Sequence, residues 1–148
     1  MSFKVAVVIH PKEKLSKCSV WPLRGREDFE FYRFPEEQIP DLDNCVRLGI
    51  SDQLLSPLDA DKTLIVLDAT WRYAARMEAD YADVPVRGLP KGWQTAYPRS
   101  SKLFEDPQGG LSTVEAVYAA YLALDRDPAG LLDHYRWRER FLKINSDI

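Results

Sequence analysis

Apolar positions in this chain fall into short runs separated by polar, proline- or glycine-marked breaks. Residues 64–67, Leu-Ile-Val-Leu, are four aliphatics in a row, two of them β-branched. Such a run predicts a short strand buried on both faces, the kind found inside parallel sheets. It stops at Asp68, and Thr70 then suits the N-cap of a helix opening at Trp71 and carried by Ala74, Ala75, Arg76 and Met77. Residues 4–9, Lys-Val-Ala-Val-Val-Ile, predict a first strand placed centrally in the sheet, ended by His10-Pro11. Residues 29–34 alternate well enough for another strand, stopped by Pro35, and residues 84–87 for a further short one. Residues 44–48 read as one helical turn broken by Gly49.

The firmest helix runs over residues 112–124, where Ser112 and Glu115 stand at N-cap and N3 spacing and form a capping box. Alanines at 116, 119, 120 and 123, beside Val117, Tyr118, Tyr121 and Leu122, make it apolar nearly all round and hence buried. On that geometry Glu115 is a capping residue rather than a catalytic carboxylate. A last helix is expected from Asp127 as cap and Pro128 in the first turn to about Lys143.

Chemistry concentrates after the strand at 64–67. A strand-to-helix turn carrying Asp68, Thr70 and Trp71 lies at the carboxyl end of a strand, where open α/β sheets place their ligands. Asp and Thr are also ordinary turn formers, so a site and a plain turn both stay open. The loop at 12–19 mixes Lys12, Lys14 and Lys17 with Ser16, Cys18 and Ser19, which suits an anion or simply solvent. The long stretch 93–110 interleaves Trp93, Tyr97, Arg99, Lys102 and Phe104, a composition for stacking on splayed bases or for anchoring a loop by buried aromatics.

At 148 residues the chain is one domain's worth of sequence, enough to bury roughly two-thirds of the surface its unfolded form exposes. The formal net charge of −3 argues against wrapping nucleic acid by bulk charge. The charge is unevenly spread, however. Arg72, Arg76, Arg87, Lys91, Arg99, Lys102, Arg136, Arg138, Arg140 and Lys143 all follow Asp68, against an acidic N-terminal half, the asymmetry expected of an RNA-facing lobe. Cys18 and Cys45, with no Cys-x-x-Cys pair, suggest neither a disulfide framework nor a metal site. No apolar run reaches membrane-spanning length and none resembles a signal peptide, so the expectation is a cytoplasmic protein with no membrane partner.

The tetrad Asp68-Ala69-Thr70-Trp71 resembles the Asp-x-Thr-Trp signature of the DTW-domain family, and residues 110–116, Gly-Leu-Ser-Thr-Val-Glu-Ala, resemble its downstream Leu-Ser-Thr-x-Glu-Ala motif. Relatives of that family transfer the 3-amino-3-carboxypropyl group of S-adenosylmethionine (SAM) to uridine or modified uridine in tRNA or ribosomal RNA. The resemblance implies an α/β fold, SPOUT-like, with a mostly parallel sheet flanked by helices and a C-terminal knot. It also implies a small N-terminal α/β lobe (1–57) joined to a cofactor-binding lobe (58–148) in a single compact unit. It makes SAM the cofactor and Asp68 the catalytic or cofactor-orienting carboxylate. Ser16 and Ser19 become candidate hydroxyls for the methionine end of the cofactor. Leu55, Pro57, Leu89 and Leu111 would wall an adenine pocket, Leu67 would meet the ribose, Trp71 and Ala74 would pack on the cofactor, and Ser112 would adjoin it. Arg72, Arg76, Lys91, Arg99 and Lys102 would face RNA. The missing cysteine cluster, His10-Pro11-Lys12 and Leu55-Ser56-Pro57 favour the ribosomal-RNA branch over the tRNA branch. The alternatives are a SPOUT-type RNA methyltransferase and a non-catalytic RNA-binding or ribosome-assembly factor.

Overall fold

The five strands are β1 (Val5–Ile9), β2 (Phe29–Arg33), β3 (Cys45–Leu48), β4 (Thr63–Asp68) and β5 (Val86–Arg87). They form one sheet in the order β2-β1-β4-β3-β5, and every neighbouring pair is parallel. The computed structural model describes residues 4–69, 71–97 and 110–148, the side chains of Lys17, Trp71 and Arg72 excepted. Among the described residues three helices accompany the sheet: α1 (Trp71–Glu78), α2 (Thr113–Ala123) and α3 (Arg138–Ile144).

The continuous apolar runs follow from burial on both faces. Along β1, Val5, Val7 and Ile9 pack into one cluster with Val117, Ala120 and Tyr121 of α2 and Phe141 of α3. Ala6 and Val8 pack into another with Met77, Tyr81 and Val84 on the α1 side. A parallel strand covered by helices on both faces has no solvent side to read as polar.

β1 and β4 are central and run in register from Val5 beside Leu64 to Ile9 beside Asp68. The chain leaves β1 toward β2 on one side and leaves β4 past β3 toward β5 on the other. Their carboxyl ends therefore flank a topological switch point, the place where open parallel sheets form a ligand crevice.

Two expectations are corrected. Residues 44–48 are not a helical turn but strand β3, whose backbone finds partners in two neighbours, β4 and β5. The alternation there was masked because all of Cys45, Val46, Arg47 and Leu48 are buried, Arg47 with its guanidinium on Glu78 at 3.4 Å. The last helix begins only at Arg138. Residues 128–137 instead form successive turns, opened by the Asp127 carboxylate accepting from the Ala129 amide at 3.0 Å. Gly130 holds φ +86°, which ends any helix started at Pro128. Those turns let Leu131 and Leu132 reach the core while Arg26 donates to the Ala129 carbonyl at 3.1 Å.

Candidate functional site

Two features meet at the carboxyl edge of the sheet, a buried carboxylate and a ligand-sized cavity. Asp68, the last residue of β4, is 7 % exposed. Thr113, the first residue of α2, donates its hydroxyl to Oδ1 at 2.6 Å, and the Cys18 thiol donates to Oδ2 at 2.8 Å. The His10 amide, one residue past β1, donates to the Asp68 carbonyl at 3.2 Å. Asp68 thus ties together the loop after β1, the end of β4 and the start of α2. Burial, then the charge and hydrogen bond of Asp68, push the Cys18 thiol up to about 12. Cys18 is therefore a neutral hydrogen-bond donor here and not a nucleophile.

The start of α2 is heavily fixed. Ser112 accepts from the Glu115 amide at 3.4 Å and Glu115 from the Ser112 amide at 2.8 Å, the reciprocal capping box expected. Glu115 is fully buried and also accepts from Thr95 Oγ1 (2.6 Å), the Ala96 amide (2.8 Å) and Tyr135 Oη (3.0 Å). Ser19 Oγ accepts from the Val114 amide at 2.9 Å, so it satisfies one of the helix's first N–H groups.

The cavity, about 560 Å³, opens between the ends of β3 and β5 and the first turns of α2. Leu48, Leu89, Trp93, Leu111 and Ala116 supply apolar walls, and the exposed Asp52 and Lys91 stand at its edge. Its size and apolar lining with a few polar groups are those of a small-molecule site. Gly88 shapes it: a Cβ there would lie 2.5 Å from the Ser51 carbonyl, so only glycine lets residues 51–55 close against this strand end. Gly88 donates to the Gln53 carbonyl at 2.8 Å and accepts from the Leu55 amide at 2.9 Å. On the far wall, Trp93 stacks on Phe141 of α3 at 5.8 Å. Asn145 brackets Gln94, accepting from its amide at 2.8 Å and donating to its carbonyl at 2.9 Å.

Ala116 lines the cavity and Thr113 holds Asp68, and residues three apart share a helix face. The carboxylate and the cavity therefore lie along one side of α2.

Of the residues singled out from the sequence, Leu89, Leu111 and Lys91 come together at the cavity. Asp68, Ser19 and Ser112 come together around the start of α2. Leu55 is buried beneath Gly88, while Pro57 is exposed in a short turn capped by Ser56. Leu67 packs at the margin of the α1-side cluster. Ser16 and Arg76 are exposed, and Ala74 is half-buried on α1. Trp71 and Arg72 open α1, their side chains lying outside the described residues, as do Arg99 and Lys102 altogether. Sequence reasoning named Cys18 only within an anion-suiting loop and Trp93 only as a base-stacking or loop-anchoring aromatic, and placed neither these nor Thr113 at this carboxylate and cavity. Thr113 stands inside the Leu-Ser-Thr motif, which was the available signal; a cysteine fifty positions from its partner carried none.

Fold and site define an α/β protein with an all-parallel sheet and a small-molecule cavity at its carboxyl edge, beside an acid held at a helix start. No family model matches the sequence, and no curated protein matches it. Among solved structures the chain is similar to the SAM-dependent rRNA:acp-transferase Tsr3 from Vulcanisaeta distributa, with a TM-score of 0.70 and 20 % identity over 97 % of this chain and 79 % of that one. At that identity the likeness is one of fold. No helix among the described residues is long and apolar enough to cross a membrane.

Proposed function

We propose that this protein transfers the 3-amino-3-carboxypropyl group of SAM to a uridine or modified uridine in RNA, ribosomal RNA before tRNA. The observation that carries the reading is the apolar cavity of about 560 Å³ on the same face of α2 as Asp68, in a fold similar to that of Tsr3. The relation to the DTW and SPOUT families, a C-terminal knot, the two-lobed division and a cytoplasmic location belong to the same reading.

The residues present suit a nucleoside-bearing cofactor. Leu89, Leu111, Trp93 and Ala116 offer flat apolar walls for an adenine, and the backbone held open by Gly88 offers close approach without a side chain. When bound, SAM supplies an activated carbon of its methionine-derived chain to a base nitrogen, with 5′-methylthioadenosine as the leaving product. The protein's task is then largely positioning. Among the described residues Cys18 and Thr113 donate to Asp68, which leaves lone pairs for a further donor from cofactor or substrate. Lys91 at the cavity edge and Arg76 on α1 face the phosphates of the RNA.

Incubating the pure protein with SAM and total cellular RNA, then weighing the small product, tests this. Methylthioadenosine with a labelled aminocarboxypropyl nucleoside is the expected result. S-adenosylhomocysteine would replace the reading by methyl transfer, and absence of SAM binding would leave an RNA-binding or assembly role.

A further inference from the structure

Next to Asp68, three aromatic rings from three different elements are stacked. His10, just past β1, lies face to face with Tyr73 of α1, centroids 4.4 Å apart and planes 14° from parallel. Phe34, just past β2, also stacks on His10, at 6.0 Å and 21°. His10 is 7 % exposed, whereas Phe34 and Tyr73 are half-buried. The Lys12 amide donates to His10 Nδ1 at 3.0 Å, which leaves the ring proton on Nε2. Burial, then the charges of Lys12 and Arg76, hold this histidine below its ordinary value, so its imidazole is neutral at physiological pH.

The two ends of the column differ. Beyond Phe34 the chain is acidic, with Glu36, Glu37, Asp41 and Asp43, and Glu37 already accepts from the Arg33 amide at 2.8 Å. At the other end Tyr73 has Arg76 three residues along the same helix face, with Lys12 close to His10, and both cations are exposed. An aromatic face flanked by two exposed cations is the composition that holds an unpaired base and the phosphates on either side of it.

We propose that Tyr73, backed by His10 and Phe34 and flanked by Lys12 and Arg76, is a stacking platform for an unpaired base of single-stranded RNA next to the nucleotide being modified. The inference rests on the RNA-transferase reading above and adds to it a site for a second nucleotide. Because His10 adjoins Asp68 through its amide, a base stacked here holds its neighbour near the carboxylate end of the site. The ring-on-ring arrangement reads stacking rather than base edges, so it tolerates any base.

The test uses the full chain and a short uridine-rich single-stranded RNA carrying one 2-aminopurine, whose fluorescence falls on stacking. Wild type is expected to quench it on binding. Tyr73→Ala should lose the quench and bind about tenfold more weakly, while Tyr73→Phe keeps both. Lys12→Ala and Arg76→Ala should each lower the slope of log affinity against log salt by roughly 0.7. SAM affinity, read by calorimetry, should not change in any of them. Unaltered quench and affinity in Tyr73→Ala would overturn the platform and leave the transferase reading standing. A wild-type chain that binds SAM and transfers to RNA without quenching any 2-aminopurine position would do the same. A chain that binds neither RNA nor SAM would end both. Should Tyr73→Ala fail to fold, the double variant Lys12→Glu with Arg76→Glu decides, since undiminished RNA affinity there also overturns the platform.

Discussion

Two buried carboxylates meet the first turn of α2, and their surroundings differ. Glu115 receives four donors, two on each oxygen, from the Ser112 and Ala96 amides and the Thr95 and Tyr135 hydroxyls. Asp68 receives two side-chain donors, one on each oxygen, from Cys18 and Thr113. A carboxylate offers about four lone-pair positions, so among the described residues Glu115 is saturated and Asp68 is half-filled. Every partner of Glu115 is part of the fold, and through Thr95 and Ala96 it holds the segment that continues from the cavity wall at Trp93. Asp68 instead keeps acceptor capacity at the carboxyl edge of the sheet, and on the proposed reading a ligand group takes it up. One acid is saturated by the fold, and the other is not.

The largest expected effect tests the saturated partner. Glu115→Ala would strand two backbone amides and two hydroxyls around a fully buried position, and should cost about 4 kcal/mol of stability. Urea denaturation followed by tryptophan fluorescence measures it. Glu115→Gln keeps the shape but turns one acceptor into a donor facing donors, and should cost about 2 kcal/mol. A loss under about 1 kcal/mol in Glu115→Ala would mean that solvent reaches these groups and that the hub is not what holds residues 93–96.

The next effect is functional rather than structural. Asp68→Asn preserves volume, and its amide oxygen still accepts one of the two donors, so stability should fall by only about 1 kcal/mol. Aminocarboxypropyl transfer should fall about a hundredfold, the range of a lost positioned acid–base or orienting group. The pair of numbers is the point. Glu115→Gln should damage stability more than turnover per folded molecule, and Asp68→Asn the reverse. Full transfer activity in Asp68→Asn would remove the carboxylate from the chemistry and leave it as a tie between strand, loop and helix.

The contrast between the two acids also marks what the chain disclosed on its own. The buried strands at residues 5–9 and 63–68 announced themselves because both faces are covered, and the capping box at Ser112 and Glu115 because its signal is local. The assignment of Glu115 to capping held for the same reason, although its reach to Thr95, Ala96 and Tyr135 depends on contacts twenty residues apart. β3 was misread because Arg47 breaks an apolar pattern from a buried position, its charge met by Glu78 across the sheet face. The last helix was drawn too long because Asp127-Pro128 is a sound helix opening locally, while Gly130 at positive φ ends it two residues later. At the site, Leu89 and Leu111 stand on the cavity wall, but Cys18 on Asp68 was invisible. Local capping is written in neighbouring residues; a tie between residues 18 and 68 exists only once β1 and β4 are paired.

Cys18 offers the smallest energetic effect and the finest probe of the comparison. Cys18→Ala removes one hydrogen bond to a carboxylate that keeps its Thr113 partner, and should cost about 1 kcal/mol. The thiol itself reports more. In a Cys45→Ser background only Cys18 can react, and at a value of about 12 its thiolate at pH 8 is about one part in ten thousand. Labelling by a disulfide reagent should therefore be slower by about two orders of magnitude than for an ordinary exposed thiol, the lost thiolate being partly offset by its greater nucleophilicity. A raised thiol value also fixes the sign of the alkaline response. The folded state holds the proton more tightly than the unfolded one, so the contribution of Cys18 is complete below the ordinary thiol range and is lost as pH rises toward about 12. Asp68→Asn removes the neighbouring charge, one of the causes of the shift, and should speed labelling at pH 8 while the chain stays folded. Glu115→Gln should leave the labelling rate of the folded fraction unchanged, because among the described residues Glu115 and Cys18 meet only through the start of α2. Equal acceleration by both substitutions would mean that the two acids act through one shared movement of α2 rather than as a saturated anchor and a half-open acceptor.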